Sequence, residues 1–74
     1  MKVKKLIKHL TPDTRIIILD SYGSMEDYES KSDIPEGLTE MRVHEVCVQE
    51  FNKFSALIVS VNGIMRWHYD ERRI

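Results

Sequence analysis

The sequence predicts an α+β domain: an amino-terminal helix packed on a small, mainly antiparallel sheet of about four strands, ordered α-β-β-β-β, with a long acidic loop. Three observations carry that expectation. Apolar residues recur at helical spacing near the start of the chain, β-branched runs follow, and Val61-Asn62-Gly63-Ile64 has the residues of a tight hairpin.

The helix comes first. Val3, Leu6, Ile7 and Leu10 fall at i, i+3, i+4 and i+7, which places them on one helical face, and lysines occupy the remainder. Thr11-Pro12-Asp13 stops it, because proline disfavours helical geometry at the residue before it. Arg15-Ile16-Ile17-Ile18-Leu19-Asp20 then reads as a first strand. Its apolar residues are continuous rather than alternating, the mark of a strand covered on both faces or set inside the sheet.

Residues 21–40 read as the acidic loop, with a helical turn expected around Pro35-Glu36-Gly37-Leu38-Thr39-Glu40. So long a connection in a small domain is often functional. A second strand is expected from about Arg42 to Glu50 and a third from Ser55 to Val61, joined by Phe51-Asn52-Lys53-Phe54. Asn62-Gly63 carries a type I′ signature, so a fourth strand from Ile64 to Tyr69 is expected to fold back.

These turns set registers. Closing Glu50 onto Ser55 places Val48 opposite Leu57, Cys47 opposite Ile58 and Val46 opposite Val59. The Asn62-Gly63 turn places Val61 opposite Ile64, Val59 opposite Arg66 and Leu57 opposite His68, with Ser60, Ile58 and Ala56 meeting Met65, Trp67 and Tyr69 on the other face. Val46, Val48, Leu57, Val59, Val61 and Ile64 then form the seat for the helix. Val43 is out of phase with Val46, and a one-residue bulge near His44-Glu45 restores it to the core face.

Composition narrows the function classes. A chain of 74 residues with 42% apolar and 31% charged residues suits one folded domain and argues against wholesale disorder. A chain this short does not easily enclose a deep catalytic pocket and also keep a core, so a non-enzymatic binding or scaffold module is expected. A single cysteine, Cys47, rules out an intramolecular disulfide framework. No apolar stretch is long enough to span a membrane, and cytoplasmic residence is the expectation. Charge is polarised: Lys2, Lys4, Lys5, Lys8 and Arg15 lie near the start, whereas Asp20, Glu26, Asp27, Glu29, Asp33, Glu36 and Glu40 follow.

Three candidate surfaces emerge. On the outer sheet face, Cys47, Ile58 and Trp67 form a cross-strand row with Met65 and Tyr69 beside it. Aromatic and Met side chains of this kind anchor protein interfaces, and Trp67 is the expected anchor. The alternative is that the acidic loop or the carboxy-terminal tail covers that face as a second small core. The acidic loop, with Glu26, Asp27 and Glu29 at its centre, suits electrostatic steering toward a basic protein groove, or is a solvated loop. His44 and Cys47 supply two zinc-type ligands, but a closed site needs four and no second pair stands at motif spacing. No other cofactor is expected, no EF-hand spacing supports calcium, and four lysines without interleaved aromatics do not make a nucleic-acid surface.

The stretch from Met1 to Ile18, with its "VKxLIxxL" helix followed by Pro12-Asp13 and a β-run, resembles the opening of small phage and prophage proteins of Gram-positive bacteria. Ile34-Pro35-Glu36-Gly37-Leu38 before a Val-rich hairpin is also similar to them. The resemblance implies an accessory protein that binds and adjusts a host protein. The anti-CRISPR inhibitors, which block a Cas nuclease by occupying a lobe or its DNA channel, are among the proteins of this size. The expected function is thus stoichiometric binding of a host or Cas-type protein by a monomer or homodimer. The alternative is a zinc-stapled or dimeric structural module.

Overall fold

A computed structural model of the chain describes residues 1–66. Its elements are α1 (Val3–Ile7), β1 (Ile16–Leu19), β2 (Met25–Tyr28), a 3-10 turn (Lys31–Asp33), α2 (Glu36–Thr39), β3 (Arg42–Glu50) and β4 (Ser55–Asn62). The strands form one mixed sheet in the order β2-β1-β4-β3. The fold is therefore the α+β arrangement expected, with a short amino-terminal helix on a four-stranded, mostly antiparallel sheet.

β1 is an interior strand, as its unbroken isoleucines require. It pairs antiparallel with β2 and parallel with β4, and Ile16 and Ile18 are fully buried. Each such side chain contributes about 1.5–3 kcal/mol by leaving water. The β3–β4 hairpin follows the expected register: Val48 opposes Leu57, Cys47 opposes Ile58 and Val46 opposes Val59. The bulge is also present, since Val43 opposes Val61 and Glu45 opposes Ser60, leaving His44 as the extra residue.

Two expectations are corrected. The segment read as a loop contains β2, which is the true partner of β1 across a tight turn with Gly23 at φ +88°. The fourth strand of the sheet is thus β2, and the described residues after Gly63 form no strand. Asn62-Gly63 does not make a type I′ turn, which needs positive φ at both central residues; among the described residues only glycines have it, with Gly63 at +111°. Met65 and Arg66 are helical, and the edge of β4 that a returning strand would have used is held by β1. The rest of that predicted strand, with Trp67, His68 and Tyr69, lies outside the described residues.

The core sits between the sheet and the α1–α2 side. Val3, Ile16, Ile18, Ile34, Leu38, Met41, Val59, Val61 and Met65 are buried together, with Leu6, Ile7, Leu10, Val43 and Leu57 packed against them. α1 is shorter than its apolar spacing predicts, and Leu10 closes it with a bond from its N–H to the Ile7 carbonyl (3.0 Å). Lys31 caps this end, its Nζ donating to the carbonyls of Ile7 (3.1 Å) and Leu10 (2.6 Å), where a cation also complements the helix dipole. Five residues of helix span only about 8 Å, against roughly 30 Å for a nine-residue strand. Val46 and Val48, expected beneath the helix, are therefore left 39% and 69% exposed.

Candidate functional site

The most unusual surface is the outer edge of β3. The amino terminus occupies its start: Lys2 bridges Arg42, and the Val43 N–H donates to the Met1 carbonyl at 2.7 Å. From His44 to Glu50 every residue is exposed, and no described residue pairs with the outer edge of that stretch. Its middle is Val46-Cys47-Val48-Gln49, without a charge. Natural edge strands are usually short, charged, bulged or covered. Among the described residues, the bulge and the amino terminus protect one end only.

The opposite edge is built differently. β2 has four residues and carries Glu26 and Asp27 side by side. Asp27 is held by Arg15 through two bonds, Nε to Oδ1 at 3.0 Å and Nη2 to Oδ2 at 2.7 Å, and this pairing keeps its carboxyl below the usual range. Arg15 also lies 4.1 Å above the ring of Phe54, which stacks on Phe51. Asp13, Arg15, Glu29, Phe54 and Ser55 line an open cleft of about 330 Å³ at this end of the sheet.

The acidic segment is less free than its composition implies. Glu40 accepts from Lys2 (3.0 Å) and Lys4 (2.8 Å), which pull its carboxyl down to about 2. Asp27 serves Arg15, and Asp20 is buried. Of the residues expected to steer a partner, Glu26, Asp27 and Glu29 are all exposed, and Asp27 is paired with Arg15.

Asp20 is the residue that sequence reasoning missed. Its Oδ1 accepts from the N–H groups of Tyr22 and Ser24, and its Oδ2 from that of Met65, each at 2.9 Å. Burial pushes this carboxyl up, but the backbone donors Met65, Ser24, Tyr22 and Gly23 outweigh burial and leave it below its ordinary value. Next to it, the Ser21 N–H donates to the Gly63 carbonyl (3.0 Å) and the Gly63 N–H to Ser21 Oγ (3.0 Å). The β1–β2 turn thus clamps the end of β4. An aspartate at a strand end, three residues before Gly23, is the signal that could have exposed this turn.

The outer-face row is only partly as expected. Cys47 does lie beside Ile58, but the place assigned to Trp67 is filled by Ile17, which pairs with Ile58 in the parallel register. Met65, assigned to the outer face, is instead 2% exposed and belongs to the main core. Ile58 is half-buried, while Trp67 and Tyr69 lie outside the described residues. His44 and Cys47 are both exposed on β3; no group of three or more His, Cys, Asp or Glu that could hold a metal occurs among the described residues. Nor is any helix among them long and apolar enough to cross a membrane.

No protein-family model matches this chain, and no curated protein or solved structure is significantly similar to it.

Proposed function

We propose that the chain is a non-enzymatic protein-binding module that modulates a partner by stoichiometric association, docking through the outer edge of β3. The observation that supports this reading is the uncovered stretch from His44 to Glu50, with Val46, Cys47 and Val48 exposed at its centre. Such an edge offers unpaired main-chain donors and acceptors to an added strand, while its apolar side chains offer contact area. Glu26 and Glu29, at the other edge of the sheet, supply negative charge that favours approach by a basic partner.

Extended peptides selected from a random display library test the docking edge, with amide chemical shifts as the readout. The expected result is that bound peptides shift the amides of Glu45 to Glu50 and leave those of β2 in place. Binders that shift only other surfaces, or no binders at dilutions where the chain is monomeric, defeat the reading. The narrower proposal, inhibition of a type II Cas nuclease, draws its support from the acidic segment. A DNA-cleavage assay with the purified nuclease should show inhibition that saturates near molar equivalence. Full cleavage under a large excess of the chain removes that target.

A further inference from the structure

We infer that the occupant of the β3 edge is β3 of a second copy of this chain, paired antiparallel about a two-fold axis at Cys47. This inference rests on the reading of β3 as the docking edge and names what docks there.

The geometry restricts the options. When a two-fold axis runs normal to the sheet, opposed residues lie equally far from the centre, and each pair points to the same face. The uncovered stretch runs from His44 to Glu50, and its midpoint is Cys47. A centre at Cys47 therefore uses the whole free edge and stops where Met1 and Lys2 block it.

Chemical complementarity selects the same centre. With Cys47 against Cys47 of the second copy, Val46 meets Val48, so the most exposed apolar side chain of the edge gains an apolar neighbour. Glu45 meets Gln49, a carboxylate acceptor against an amide donor, and the bulge at His44 ends regular pairing beyond it. Moving the centre to Val46 sets Val48 against His44 and Cys47 against Glu45. It also sets Glu50 against Arg42, whose outer side Lys2 already bridges. Moving it to Val48 sets Val46 against Glu50 and shortens the free overlap. Only the Cys47 centre leaves no apolar residue opposite a charge.

The other edge does not compete. Self-pairing of β2 about Glu26 would set Glu26 against Glu26 of another copy, and self-pairing about Asp27 would set Asp27 against Asp27; like charges across a strand pair are destabilising. Pairing through β3 joins two four-stranded sheets into one continuous sheet. It also leaves Val46 and Val48 of the two copies as a single apolar stripe on the face they share with Leu57 and Val59.

Sedimentation equilibrium on the reduced, purified chain tests the pairing, and cysteine cross-linking tests the register. The wild type should be a concentration-dependent dimer. Val48→Lys, at a position exposed in the single copy, should keep the wild-type circular dichroism spectrum and weaken dimerisation about tenfold or more. With oxidised glutathione as the oxidant, Cys47 should link the two copies. A cysteine placed by Glu45→Cys in a Cys47→Ser background should not, because that register sets it against Gln49. A wild type that stays monomeric while peptides still shift the Glu45–Glu50 amides overturns the second copy as occupant but keeps the docking edge. A monomer whose edge also ignores peptides overturns both. A dimer that Val48→Lys leaves intact, or that cross-links through position 45 and not 47, overturns the proposed pairing.

Discussion

Replacing Asp20 by Ala removes one carboxylate that receives three backbone N–H bonds, from Tyr22, Ser24 and Met65. The three are not equivalent. The Tyr22 and Ser24 amides are part-buried and can turn to water, so most of their loss is recovered. The Met65 amide is buried, so its unmet donor costs about 1–3 kcal/mol. With a further contribution from lost charge-assisted bonding in the turn, the expected loss is roughly 3 kcal/mol. Domains of this size have only about 4–11 kcal/mol in total. Thermal melts should therefore show Tm lowered by roughly 12–24 °C at pH 7.

The pH dependence separates this cause from simple loss of packing. The carboxyl of Asp20 lies lower in the folded chain than in the unfolded one, where about 3.9 is ordinary. Its stabilising contribution is therefore fully present above the unfolded value and is lost as pH falls through the folded value. The gap in Tm between wild type and Asp20→Ala should narrow steadily below pH 5. A gap that stays constant down to pH 2, or a loss at pH 7 of only one or two degrees, refutes the assignment of Asp20 as the charged anchor of this turn.

Two further substitutions probe the same framework by urea titration. Gly63→Ala should destabilise by roughly 1–3 kcal/mol, because φ +111° is strained for any residue with a Cβ and the added atom would sit 3.3 Å from Met41 Cε; an unchanged midpoint would mean that this turn relaxes freely. Lys31→Met should cost about 1–2 kcal/mol by leaving the carbonyls of Ile7 and Leu10 without their cation, and high salt should not erase the difference, since two direct bonds are lost. A loss that salt abolishes would make Lys31 a diffuse charge rather than a cap.

What the sequence made legible was local. The four residues Phe51 to Phe54 fix the β3–β4 register, and the phase of Val43 against Val46 forces the bulge at His44. The isoleucines of β1 announce an interior strand but cannot say who flanks it. One neighbour, β4, comes from the far end of the chain and pairs in parallel, a relation that no turn encodes. The other neighbour, β2, has adjacent carboxylates and no alternation, so its strand geometry derives from the hydrogen bonds of β1 rather than from its own residues. Gly63 was recognised as a turn residue, yet its positive φ serves a bend into a helical turn as well as it would serve a hairpin. The exposed half of β3 was hidden for a different reason: α1 ends at Ile7, earlier than the apolar spacing through Leu10 implies, and leaves Val46 and Val48 without a cover.

The unlike edges of this sheet also set where the proposed pairing would stop. A protein with two receptive edges can stack copy upon copy into an open filament, as strands do in amyloid. Here one edge is receptive and the other is short and doubly acidic. A contact related by a two-fold axis consumes the receptive edge of both copies at once and leaves β2 outermost on either side. In the dimer proposed above, growth would therefore terminate at two, with the carboxylates of Glu26 and Asp27 on the outermost strands disfavouring further pairing.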